Sequence, residues 1–122
     1  MTIQECYQAI GGDYEQAVKR LSSEAMVRHF IGKFLEDDCL QKLREAIKAQ
    51  NRKEAFCAAQ TLESVSGNLS FFRLSRSVSA LTESLRPECA VMPENAAALM
   101  KQVERDHAST AAAIRACLEA QA

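Results

Sequence analysis

Residues 51–71 read NRKEAFCAAQTLESVSGNLSF, and the pattern of small and apolar side chains in this stretch decides the fold class. Asn51 is a good helix N-cap, with Glu54 three residues later as its capping-box partner. Small or apolar residues then recur every three to four positions, at Ala55, Ala59, Leu62, Val65 or Ser66, and Leu69. This is the period of a helix that buries one face, so the stretch predicts an amphipathic α-helix.

Helical periodicity continues on the C-terminal side of this stretch. Spacings of four, three and four residues form the narrow apolar seam of a helix that packs in a bundle. The seam positions are Leu74, Val78, Leu81 and Leu85. Pro87 ends this helix, and Pro93 precedes a last helix that begins at about Glu94. The apolar side of the last helix is formed by Leu99 or Met100, Val103, His107, Thr110, Ile114 and Leu118.

On the N-terminal side the sequence predicts one long helix that runs to about Gln50. Either Ser22 or Ser23 is its N-cap. Its apolar positions are Met26, Val27, Phe30, Ile31, Phe34, Leu35, Leu40, Leu43 and Ile47. The periodicity slips once, at Asp37-Asp38, and we interpret the segment as a helix that continues through the slip.

The chain as a whole is predicted to be one all-α domain over residues 1–122, since no segment alternates polar and apolar residues as a half-buried strand does. The glycine pair at positions 11 and 12 divides the N-terminal region into two short helices within about residues 2–21. The expected architecture is an antiparallel up-down-up-down four-helix bundle with one or two short N-terminal helices. The predicted bundle helices span about residues 23–50, 51–69, 71–86 and 94–120.

Composition and charge argue against several classes of function. A net charge of −1 gives no general attraction to nucleic acid or to an anionic membrane, and no run is apolar enough to span one. The five cysteines, at positions 6, 39, 57, 89 and 117, have neither zinc-site nor disulfide spacing. We expect a cytoplasmic protein without signal peptide, metal or cofactor. No catalytic triad, phosphate loop or paired-carboxylate motif is present, so no small-molecule substrate is expected.

The central stretch resembles the motif of the histidine-containing phosphotransfer (HPt) family. Residues 58–71 read AAQTLESVSGNLSF, where the family has a pattern close to AAHTLKGxxxNLGF. The matching residues are Ala58, Ala59, Thr61, Leu62, Asn68, Leu69 and Phe71. Further agreement lies at residues 11–14, 34–37, 43–47 and 74–85, so the resemblance covers nearly the whole chain. It implies an HPt-like helical bundle.

The departures from this motif fall on the residues that carry the family's chemistry. The phospho-accepting histidine is replaced by Gln60 and the lysine three residues later by Glu63, while two glycines become Ser64 and Ser70. An imidazole accepts a phosphoryl group through a ring-nitrogen lone pair, whereas the lone pair of a carboxamide nitrogen is delocalised into the carbonyl. Glu63 also places a negative charge where the family has a cation. Both the nucleophile and its electrostatic support are therefore missing.

The resemblance implies a binding role in a two-component phosphorelay. The chain is expected to dock a response-regulator receiver domain, or a hybrid histidine kinase, without accepting phosphate. We therefore expect that it is not an enzyme and has no catalytic residue. We expect the partner to contact one side of the helix predicted over residues 51–69, and we call this side the docking face. Its residues are Lys53, Phe56, Cys57, Gln60, Glu63, Ser64 and Gly67. Ala55 and Ala59, in contrast, are interpreted as small residues that let helices approach inside the bundle.

Two alternatives remain open at this point. An active phosphotransfer protein would use another acceptor, with His29 and His107 as candidates, although neither lies on the face of Gln60. The ordinary interpretation makes His29 a boundary residue and His107 half-buried and hydrogen-bonded. The other alternative is a helical scaffold or dimerisation module. The acidic residues 36–38 are interpreted as a solvated face, not a metal site, and the phenylalanines as mostly core, with Phe72 the most exposed.

Overall fold

The structure is a computed structural model that describes residues 1–88 and 91–120. These residues form seven α-helices and no strand, which confirms the all-helical fold class. The helices are α1 (Ile3–Ala9), α2 (Tyr14–Leu21), α3 (Glu24–Phe34), α4 (Cys39–Lys48), α5 (Arg52–Asn68), α6 (Phe72–Ser84) and α7 (Ala96–Ala120). Of the five cysteines without zinc-site or disulfide spacing, Cys89 lies outside the described residues.

All seven helices contribute to one hydrophobic core. Helix α5 packs between α4 and α6, and α6 packs on α7, which also contacts α1, α3 and α4. This arrangement is compatible with a helical bundle. The predicted α6 seam is confirmed, since its four residues, Leu74, Val78, Leu81 and Leu85, are completely buried. Burying such side chains stabilises the fold by roughly 1.5–3 kcal/mol each.

The prediction of one continuous helix over residues 23–50 is wrong, because the segment breaks between α3 and α4. The N–H groups of residues 35–37 donate to carbonyls three residues back, which is the tighter bonding of a helix end. The Asp37 carboxylate then accepts a hydrogen bond from the Cys39 N–H at 2.8 Å. Short acidic side chains compete in this way with the helical backbone, so the slip at Asp37-Asp38 is a real turn.

Helix α3 also buries a narrower stripe than its sequence predicts. Val27, Ile31 and Phe34 fill the core, but Met26 is 40% exposed and Phe30 is 37% exposed. Helix α3 packs on α2 and α7, and its second apolar row stays partly exposed. The expectation that both residues are core is therefore wrong. Among the other phenylalanines, Phe34 and Phe71 are buried, Phe56 is half-buried and Phe72 is exposed.

The N-terminal end of α5 is held by its cap and by one arginine. The Asn51 side chain accepts a hydrogen bond from the Glu54 N–H at 3.1 Å, which confirms the predicted N-cap. The Arg52 guanidinium donates to the backbone carbonyls of Leu85 at 3.3 Å and Val91 at 2.8 Å. Arg52 thus ties the start of α5 to the segment that follows α6.

The C-terminal end of α5 closes in a Schellman turn, with Ser70 as its left-handed residue. The Ser70 N–H donates to the Gly67 carbonyl at 3.0 Å and the Phe71 N–H donates to the Ser66 carbonyl at 2.9 Å. Ser70 has a φ of 59°, a conformation in which glycine is the usual residue. The HPt pattern has glycine at this position, so Ser70 keeps the turn at a conformational cost.

The N-terminal helices fasten this turn from outside. The buried Tyr7 hydroxyl donates to the Leu69 carbonyl at 2.8 Å, and the Asp13 N–H donates to the Ser70 carbonyl at 3.0 Å. The Ser70 hydroxyl donates to the Gln16 side-chain oxygen at 2.8 Å. Both ends of α5 are therefore fixed, and its outward side is presented on a supported helix.

Candidate functional site

The predicted docking face lies along the outward side of α5. Gln60 stands at the middle of the helix and is exposed. Three further members of the face are exposed, namely Lys53, Cys57 and Ser64, and three are half-buried, namely Phe56, Glu63 and Gly67. All seven residues are therefore at least partly accessible. Ala55 and Ala59 are completely buried, which confirms their interpretation as interior contacts between helices.

The centre of the face presents hydrogen-bonding groups and a thiol. Gln60 presents an amide, and Cys57, one turn before it, is a free and exposed thiol. The Thr61 hydroxyl donates a hydrogen bond to the Cys57 carbonyl at 3.0 Å. The Glu63 carboxylate has no ion-pair partner within 4.0 Å among the residues that the structure describes. The centre of the face is thus polar and accessible.

A polar groove of about 610 Å³ lies between α4 and α5 on one side of the face. Its lining combines both charges and includes Lys42, Glu45, Lys53, Glu54, Cys57 and Thr61. Lys53 and Cys57 belong to this groove and to the docking face. Mixed charges of this kind are typical of a solvated helix junction.

A second groove, of about 370 Å³, lies beside the C-terminal half of α5 and was not predicted from the sequence. Leu21, Phe30 and Val65 provide apolar surface there, while Arg20 and Lys33 provide cations at its rim. The residues come from three helices, so no single sequence window reveals the groove. The available signal was the second apolar row of α3, which includes Met26 and Phe30 and was assigned to the core.

Arg20 links this apolar groove to the docking face. Its guanidinium donates to the Gly67 carbonyl at 2.6 Å, at the end of α5. The carbonyls at a helix C-terminus carry partial negative charge and attract cations. Arg20 thereby places a positive charge at the C-terminal end of the face, two helical turns from Gln60.

The two histidines lie away from α5. His29 is exposed on α3, in a T-shaped contact with Phe30 at 5.2 Å between centroids. His107 on α7 is half-buried, and its ring lies tilted against that of Phe34, with 5.0 Å between centroids. The predicted burial of His107 is therefore confirmed, but in the described part of the chain it makes no side-chain hydrogen bond. Burial lowers the pKa of His107, while the Asp37 carboxylate opposes this shift.

His107 predicts a pH dependence of stability with a definite sign. The pKa of His107 is lower in the folded state than the ordinary value of 6.5. At pH values between these two pKa values, the unfolded chain therefore binds more protons than the folded chain does. The free energy of unfolding should fall as the pH decreases below 6.5, by no more than about 1.4 kcal/mol per pH unit for one proton. Urea unfolding at pH 7.5 and 5.5 measures this loss. His107→Gln should lose less stability over the same interval; an equal loss in both proteins would contradict the assignment.

The acidic residues before α4 make contacts with neighbouring residues of the same segment. Asp37 caps the Cys39 N–H, and Asp38 pairs with Lys42 at 3.4 Å. One ligand atom each of Asp37, Asp38 and Cys39 lies within 4.8 Å of the others. Burial raises the pKa of the Cys39 thiol to about 12, so this sulfur is a neutral thiol at physiological pH. These contacts account for the cluster as part of the turn between α3 and α4.

Comparisons with known proteins give no independent family assignment. No family model, no curated protein and no solved structure matches this chain. A search of the described helices finds none with the length and apolar character required to cross a membrane. The HPt motif therefore remains a resemblance in the residues of the chain itself.

Proposed function

We propose that this chain is an HPt-like binding module of a two-component phosphorelay, which docks a receiver domain in the cytoplasm without accepting phosphate. The observation that carries the proposal is the position of Gln60. It lies exposed at the centre of a helix fixed at both ends, where the resembled family has its phospho-accepting histidine. A carboxamide there forms hydrogen bonds with a partner but does not form a transferable phosphoryl bond.

The proposed architecture is the antiparallel up-down-up-down bundle of the resembled family, with α3 and α4 together as its first helical unit. Short connections support it: residues 49–51 join α4 to α5, and residues 69–71 join α5 to α6. Contacts between the ends of α5 and α6 also indicate that these two helices run antiparallel. Arg52 at the start of α5 bonds to Leu85 at the end of α6, and Gly67 lies beside Ser75 near the start of α6.

The surface around Gln60 supports docking of a protein. Ser64 and Gly67 are small, so a partner backbone can approach α5 closely. The apolar groove with Phe30 and Val65 adjoins the same end of the helix. Exposed apolar surface beside polar, accessible groups is a common property of protein interaction sites.

Receiver binding tests the proposal directly. Each receiver domain encoded in the source genome is titrated with the purified chain, and at least one is expected to bind. Ser64→Tyr should weaken that binding by at least about tenfold, since a bulky ring one turn from Gln60 prevents close approach and loses on the order of 1.4 kcal/mol.

Ser109→Tyr is the matched control for this variant. Ser109 is an exposed serine of α7, so the same substitution there should leave receiver binding unchanged. The proposal fails if no receiver binds, or if both tyrosine variants bind like the wild-type chain. It also fails if a phosphorylated receiver transfers its phosphoryl group to His29 or His107 of the wild-type chain.

A further inference from the structure

The charges on the docking face are unevenly distributed around Gln60. Only two of the seven face residues are charged, Lys53 and Glu63. Glu63 lies one helical turn after Gln60, whereas Lys53 lies two turns before it. A helix rises about 1.5 Å per residue, so along the axis the Cα atom of Glu63 lies about 4.5 Å from that of Gln60, and the Cα atom of Lys53 about 10.5 Å. Glu63 is therefore the charged residue of the face whose backbone position lies closest to Gln60.

Several cations near the docking face have contacts away from Gln60. Arg20 bonds to the Gly67 carbonyl at the far end of the face, and Lys33 lies in the apolar groove beside that end. Arg86, just after α6, pairs with Glu83 at 2.9 Å. On α4, Lys42 pairs with Asp38 and Arg44 pairs with Glu104.

We infer that the docking face selects the unphosphorylated form of its receiver, with Glu63 as the residue that determines this preference. The inference rests on the proposed function, because it assumes that a receiver presents its phosphorylation site to Gln60. A phosphoryl group adds negative charge at that site. Docking would bring this charge next to the half-buried Glu63 carboxylate, in an interface that excludes part of the solvent.

Such a preference gives the module a defined role. It would hold the receiver before phosphorylation and release it once the receiver is phosphorylated. Because Glu63 repels the added charge, the two receiver forms should differ in affinity by about tenfold, equivalent to about 1.4 kcal/mol. The preference depends on a side chain that is separate from Gln60, so it can be removed without changing the amide.

The experiment is a titration of a bound receiver with and without beryllofluoride, which mimics the phosphoryl group on the receiver aspartate. The wild-type chain should bind the free receiver about tenfold more tightly than the beryllofluoride form. Glu63→Gln should remove most of this ratio, and Glu63→Lys should reverse it. Glu119→Gln, at an exposed position of α7, should leave the ratio unchanged.

The ratio between variants isolates the charge effect from any conformational change of the receiver. Equal wild-type affinities for the two receiver forms would overturn the inference and leave the proposed function intact. An unchanged ratio in Glu63→Gln would overturn the role of Glu63. Failure of both receiver forms to bind would overturn the proposed function itself, and the inference with it.

Discussion

The double substitution Gln60→His with Glu63→Lys is expected to convert the chain into a phosphoryl acceptor. The new imidazole would stand exposed at the centre of the docking face, where a receiver aspartyl phosphate can approach it. In the transfer, the bond from phosphorus to the aspartate oxygen breaks and a bond to the imidazole nitrogen forms. The lysine one turn away would stabilise the phosphoryl oxygens in place of the repelling carboxylate.

The expected effect separates the two substitutions. Wild type should acquire no acid-labile phosphate, and Gln60→His alone should acquire it slowly. The double variant should be at least about tenfold faster, because exchanging a negative for a positive charge one turn away lowers the barrier by at least about 1.4 kcal/mol. Incubation with a radiolabelled phosphoreceiver, followed by acid and base treatment of the product, measures the transfer.

Thr61→His is the matched control for the position of the imidazole. Thr61 is also exposed on α5, but it points about 100° away from Gln60 around the helix, toward the polar groove. It should remain unphosphorylated even with Glu63→Lys. A double variant that binds the receiver yet accepts no phosphate would show that the receiver does not present its phosphorylation site to position 60.

Helix formation could be predicted from the sequence because it depends on local patterns. The periodicity around Leu62 and the spacing from Leu74 to Leu85 each report burial on one face, and both are confirmed. The turn between α3 and α4 was missed because periodicity alone does not show whether Asp37 caps a new helix or lies on the outside of a continuing one. Only the tertiary position of α4 distinguishes the two arrangements.

The candidate site was predictable in part. The accessibility of Gln60 follows from its place opposite the buried row with Ala59 and Leu62, which a helical wheel shows. The apolar groove was not predictable, because it depends on how α2 and α3 are placed beside α5. Phe30 has the spacing of a core residue, and only the packing of α3 leaves it partly exposed.

The support of α5 by the N-terminal helices depends on close packing at Gly12. The Gly12 N–H donates to the Tyr7 carbonyl at 2.9 Å. A Cβ atom on Gly12 would lie 2.7 Å from the Ser70 carbonyl oxygen and 2.8 Å from the Tyr7 ring. Both atoms belong to groups that are fixed by hydrogen bonds, namely Tyr7 to Leu69 and Ser70 to Asp13. Neither group can move without breaking the attachment of the N-terminal segment to the end of α5.

Gly12→Ala should therefore lower the free energy of unfolding by about 3 kcal/mol, measured by urea denaturation, since it combines overpacking with the loss of buried hydrogen bonds. Gly32→Ala is the matched control, because a Cβ there would meet only the flexible end of Leu118 at 3.8 Å. Within α3 this alanine should raise stability by about 0.5–1 kcal/mol. A Gly12→Ala protein within about 0.5 kcal/mol of wild type would contradict the packing argument, as would equal losses in the two variants. Since the Ser70 turn also sets the end of the docking face, Gly12→Ala should weaken receiver binding even under conditions where the protein remains folded.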